Sequence, residues 1–198
     1  MSPRQAAYPV DPLFPNRWSP RAFSGESITD EQLYTLFEAA RWAPSSYNNQ
    51  PWRFVYATRN TPAWEKLYSL LGEFNQMWAK DAAVLMVVIS HENFEHNGKL
   101  ARTHSFDTGA AWENIALQAS MMGLAAHGME GFDYDRAKTE LHIPANYQVE
   151  AMAAIGKMGN IENLPPALQE REQPSDRKPI SSFMFEGTFR EYNKKQEE

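Results

Sequence analysis

Pro44-Ser45-Ser46-Tyr47-Asn48-Asn49-Gln50-Pro51-Trp52 brings two serine hydroxyls, a phenol, three carboxamides and an indole into nine residues. The stretch follows a helix pattern and precedes a strand pattern. It offers many neutral hydrogen-bonding groups but no nucleophile beside a base and no cluster of metal ligands. Such chemistry suits a flat heterocycle with polar edges better than hydrolysis.

The surrounding chain reads as one domain. It has 198 residues, 42% hydrophobic and 13% aromatic, enough for a substantial core. Twenty-five acidic residues against nineteen basic ones give a formal charge of −6, which argues against a nucleic-acid surface. There are no cysteines, so disulfides and thiolate chemistry are excluded. Met1 to Val10 lacks an apolar signal core, and the longest apolar run, Ala82 to Ile89, is too short to span a bilayer. A soluble cytoplasmic protein without membrane partners is the expectation.

Residues 1–16 contain four prolines and read as an extended arm. Thr29 and Gln32 have capping-box spacing, and Leu33, Leu36, Phe37 and Ala40 recur at helical intervals until Pro44. Arg53 to Thr58 reads as a strand. Thr61-Pro62 starts a helix that presents Trp64, Leu67 and Leu71 and stops at Gly72. Ala82 to Ile89 has the pattern of a central strand covered on both faces. His91 to Arg102 is polar, a loop or mobile lid. A long helix from His104 to Met122 ends at Gly123. Strands at Leu124–Met129 and Val149–Ile155 flank a helix from about Asp133 to His142. Beyond Gly159 the chain is proline-broken, yet Ile180, Phe183, Met184, Phe185 and Phe189 are apolar and predict a docking tail.

Four further segments carry candidate chemistry. Arg17-Trp18-Ser19-Pro20-Arg21 offers two guanidiniums and a hydroxyl on one side of an extended chain, a plausible phosphate grip. Asn75 can donate and accept at once, matching an edge that alternates acceptor and donor. Gly131, after Glu130, permits close backbone approach to a ligand. Arg177-Lys178 is a late basic pair. No histidine pair has metal-ligand spacing on a helix, so no metal is expected.

Taken in order, these segments resemble the FMN-dependent nitroreductase family, from about Asn16 to Pro179. The resemblance implies an α+β fold with a mixed central sheet wrapped by helices. It implies an intertwined homodimer with two FMN sites, each protomer a single domain with an N-terminal arm of about residues 1–16 and a C-terminal arm of about 160–198. By it, Arg17, Trp18, Ser19 and Arg21 line FMN, with Arg17 and Ser19 toward the phosphate and Arg21 toward the pyrimidine edge. Pro44, Ser45, Ser46 and Asn48 reach the flavin across the interface, and Asn75 meets the ring edge. Glu130 and Gly131 lie near N5 through their backbone, with the Glu130 carboxylate as the competing acid. Arg177, and less directly Lys178, clamp the phosphate. Several relatives have a lysine where this chain has Trp78, which implies one cation fewer near the ring. The implied activity is ping-pong reduction of nitroaromatics or quinones by NADH or NADPH. A specialised enzyme of the same fold, such as a dehalogenase, and a non-catalytic flavin-binding protein remain alternatives.

Overall fold

Residues 4–191 are described by the computed structural model. The arm contains one helical turn, α1 (Leu13–Asn16), rather than continuous extended chain. The Asp11 carboxylate accepts the Leu13 N–H and starts it. The capping box forms as expected, with Thr29 Oγ1 accepting from Gln32 N and Gln32 Oε1 accepting from Thr29 N. It opens α2 (Asp30–Arg41), which buries Leu33, Leu36 and Ala40. β1 (Trp52–Thr58) leads through Pro62 into α3 (Pro62–Leu70). Leu71 has left the helix and bridges to Phe132, so Gly72 is not a helix stop but the N-cap of α4 (Glu73–Ala79). At seven residues α4 is too short to show a helical period in the sequence.

β2 (Val84–His91) is followed by α5 (His104–Met121), whose end is marked by Gly123 at φ +68°. β3 (Leu124–Met129), α6 (Tyr134–Glu140) and β4 (Tyr147–Lys157) complete the sheet layer, and α7 (Pro166–Gln169) follows. The strand order is β1-β2-β4-β3, and each pairing among the described residues is antiparallel. The α+β class holds, while the parallel part of the expected mixed sheet is not among these pairings.

β2 explains why its sequence is continuously apolar. Alternate residues face two cores. Leu85, Val87 and Ile89 join Trp64, Leu67 and Trp78, while Val84, Met86 and Val88 join Leu36, Ala111 and Ile115. Thus α2 and α5 cover one face, and α3 and α4 the other. Burying Leu36 or Ile115 alone stabilises by about 1.5–3 kcal/mol. The C-terminal arm divides in two. Leu164, Leu168 and Glu172 are buried on their own protomer, whereas Phe183 and Phe189 stay 65% and 82% exposed.

Candidate functional site

Arg17 to Ala22 crosses the end of the sheet and is held from two directions. Glu172, 150 residues later and buried, accepts the backbone N–H of Arg21 at 2.6 Å and of Ala22 at 2.8 Å. Its second oxygen lies 3.8 Å from Arg21 Nη1. On the other side, His127 of β3 meets the Pro20 carbonyl through Nδ1 at 3.0 Å. The His127 ring also packs on Trp78, centroids 4.6 Å apart. Burial lowers the His127 pKa below its ordinary value, against the bond to Pro20 that would raise it. A neutral ring donating from Nδ1 leaves Nε2 as an acceptor. Arg17 Nη1 reaches Ser19 Oγ at 3.4 Å, so the expected pair is together. Trp18 lines a small separate cavity with Arg17, Pro20, Ser120 and Met158.

His127 also lines a cleft of about 420 Å³ with Gly72, Asn75, Met129, Glu130 and Gly131. Its floor is zipped shut. Gly72 N and Asn75 Nδ2 both donate to the Gly131 carbonyl at 2.9 Å, and Asp133 N donates to Leu70 O. Trp78 Nε1 donates to Asn75 Oδ1 at 3.2 Å. The Trp78 side chain is buried, stacks on Phe23 and packs against His127, and it helps to orient the Asn75 amide. A Cβ on residue 131 would lie 2.8 Å from Asn75 Nδ2, so only glycine fits this approach. Glu130 is exposed, and its carbonyl accepts Phe132 N in a tight turn about Gly131.

The Pro44 to Trp52 loop is built differently. Tyr47, Asn48 and Gln50 all lie in the left-handed region, at φ 53°, 54° and 49°. Each such residue costs about 1–3 kcal/mol and persists where surroundings over-determine it. Here Ser45 Oγ accepts Gln50 N, and the buried Asp107 carboxylate accepts Ser46 N at 3.0 Å. The Asn49 amide ties the loop to Asn93 and Glu95, and Arg53 pairs with Glu95. The loop of residues 92–101 is thus bonded to this one through Asn93 and Glu95. Tyr47, Phe94 and His96 form an aromatic trio with centroids 5.3–5.7 Å apart beside a cleft of about 340 Å³. Pro44 is exposed, Ser45 and Ser46 half-buried, and none of this loop lines the cleft of Asn75 and Gly131.

Arg177 Nη1 donates to Ser175 O and Oγ at 3.1 and 3.2 Å. Arg4, which no sequence pattern marked, reaches the same Ser175 carbonyl at 3.4 Å and the Arg17 carbonyl at 2.8 Å. Lys178 is exposed beside them. The sequence reading also missed His127 and Glu172, since a lone histidine in a strand and a glutamate in a polar stretch carry no local signal. A guanidinium cluster tied to a cleft with a carboxamide edge suits a flat heterocycle bearing an anionic group.

Comparison with known proteins gives a consistent picture. The model of the nitroreductase family matches residues 15–75 and 61–157. A protein of Streptomyces coelicolor named as a candidate NADH dehydrogenase/NAD(P)H nitroreductase is 29% identical over 151 residues, 66% of this chain and 76% of its own. A solved oxidoreductase structure containing FMN is 49% identical, with a TM-score of 0.91 over 96% of this chain and 97% of its own. A candidate nitroreductase of Desulfovibrio desulfuricans, solved in complex with FMN, is 25% identical, with a TM-score of 0.70 over 92% of this chain and 100% of its own.

Proposed function

Because the chain belongs to the nitroreductase family and is an oxidoreductase, we propose that it binds FMN, takes electrons from NADH or NADPH and reduces nitroaromatic or quinone-type acceptors. The observation that carries the reading is the His127–Pro20 bond. It ties the Arg17–Arg21 segment to the cleft floored by Asn75 and Gly131, joining an anion grip to a planar cleft. When bound, FMN would supply the redox chemistry between a nicotinamide donor and the acceptor, which the proposal takes to use the same cleft in turn, ping-pong fashion.

The residues do the positioning. Arg17, Ser19 and Arg177 hold the phosphate, with Lys178 at their edge, and Trp18 carries the chain between Arg17 and Ser19. Arg21 and Asn75 face the pyrimidine edge. No acceptor among the described residues takes the Gly131 N–H. In this proposal the Glu130–Gly131 backbone serves flavin N5, and the Glu130 carboxylate is dispensable.

Pro44, Ser45, Ser46 and Asn48 belong to a second wall that one chain does not bring to the first. A homodimer would supply it from the partner subunit. Exposed Phe106 on α5 and Phe183, Met184 and Phe189 in the tail support such an interface. A single domain fits the two cores, since both are built on β2. No helix among the described residues is long and apolar enough to cross a membrane, and a cytoplasmic location belongs to the same proposal. The aromatic trio Tyr47, Phe94 and His96 favours a second reading, a specialised enzyme of this fold with one defined planar acceptor.

The test is chemical. Purified protein should be yellow, release FMN rather than FAD on heating, and oxidise NADH or NADPH when an acceptor is added. A protein that takes up no flavin would overturn the reading, and one that binds FMN without turnover would make it a flavin carrier. A screen of acceptors separates the two enzyme readings.

A further inference from the structure

Arg4 lies 13 residues before the phosphate segment and 171 before Ser175, yet its two terminal nitrogens contact both. It shares the Ser175 carbonyl with Arg177, and it caps the carbonyl of Arg17. The guanidiniums of Arg4 and Arg177 thus meet at one carbonyl, and the Arg17 charge acts on Arg4 as well. Burial and the positive charges of Arg177 and Arg17 pull the Arg4 pKa below its ordinary value, while Asp176 opposes them. The nearby carboxylate is that of Asp176, whose Oδ1 accepts the Arg177 N–H. Among the described groups that act on Arg4, positive charge outweighs the single carboxylate of Asp176. A phosphate monoester carries about −1.5 to −2 at neutral pH, and a phosphodiester only one charge per phosphorus.

We infer that Arg4 is a third phosphate-binding guanidinium, brought in by the N-terminal arm to match a dianionic monoester. This rests on the flavin reading above and adds a residue that the sequence pattern does not mark. Arg4 uses two of its five N–H donors on the chain, one each to Ser175 O and Arg17 O. Among the described residues no other acceptor takes the rest of the fork, which leaves donors for phosphate oxygens. The arm therefore straps the Arg17 segment to the Ser175 turn through Arg4.

The experiment titrates the full-length apoprotein, Arg4→Ala and Arg4→Lys with FMN and with riboflavin, which lacks the phosphate. Losing one charge-assisted contact should weaken FMN binding about tenfold or more. Riboflavin binding should stay unchanged, and the Lys variant should recover part of the loss. Inorganic phosphate should compete with FMN less well in Arg4→Ala than in the unaltered protein. Equal weakening of both flavins would make Arg4 a structural strap only, and unchanged FMN affinity would remove it from the site. Either result overturns the inference while leaving the flavin reading intact. If the unaltered protein bound neither flavin, both would fall.

Discussion

The cleft wall of Asn75, His127 and Gly131 and the loop of Ser45 to Gln50 carry similar polar groups, yet they are held in opposite ways. The first is sunk into the sheet end. The Asn75–Gly131 bond, Trp78 and three backbone bonds lock it, and Asn75 is only 8% exposed. The second stands out on a surface, with Tyr47 82% exposed and three residues in left-handed backbone. A locked wall is pre-organised by its own chain. The strained, exposed loop is instead held by Asp107 and Asn49 and lines no wall of that cleft. The difference supports the proposal of a site in two halves, since the loop does not line the cleft of its own chain.

The largest effect should come from the locked half. Gly131→Val forces a Cβ against an amide that Trp78 keeps from moving, so FMN-dependent turnover should be nearly abolished. Glu130→Gln, in the same turn, should keep most of it. Steady-state rates at saturating FMN separate them. Loss in the Gln variant with flavin still bound would make the carboxylate an acid–base group and break the backbone account.

A smaller loss is expected on the other side. Removing residues after Pro179 takes away Phe183, Met184 and Phe189, whose exposure suits an intersubunit contact. Sedimentation and flavin content should fall together, because one half of the site would leave with the partner. A truncated dimer with full flavin would show that the tail is not part of the comparison.

The smallest effect concerns pH. His127 is held neutral by burial, so its folded pKa lies below the ordinary 6.5. The unfolded chain then binds more protons as pH falls below about 6.5. This contribution to stability is complete above that pH and is lost as pH falls through the folded pKa. Thermal unfolding of the unaltered protein and of His127→Asn across this window should show a flatter pH dependence in the variant. Parallel curves would mean that His127 does not titrate on unfolding.

What was legible in the sequence was local. The Thr29–Gln32 box, the apolar run of β2 and the Gly123 stop each act within a few residues, and all three form. The Ser45–Gln50 order and Gly131 are compact motifs for the same reason. Glu172, Arg4 and His127 act on chain 107 to 171 residues away, so no nearby pattern reveals them. That the Trp78 indole turns inward to hold Asn75 is likewise not visible in the sequence.

The central claim, that one flavin site is assembled from the locked wall of one protomer and the strained loop of another, is tested by mixing two weak variants. Gly131→Val spoils the wall and leaves the loop intact. A Ser45→Ala/Asn48→Ala double variant spoils the loop and leaves the wall. Subunits are exchanged, mixed dimers are verified by native mass spectrometry, and NAD(P)H-dependent turnover is measured. The account predicts that the mixture is more active than either parent, since each mixed dimer pairs one sound wall with one sound loop. Verified mixed dimers with no gain over the parents would contradict it.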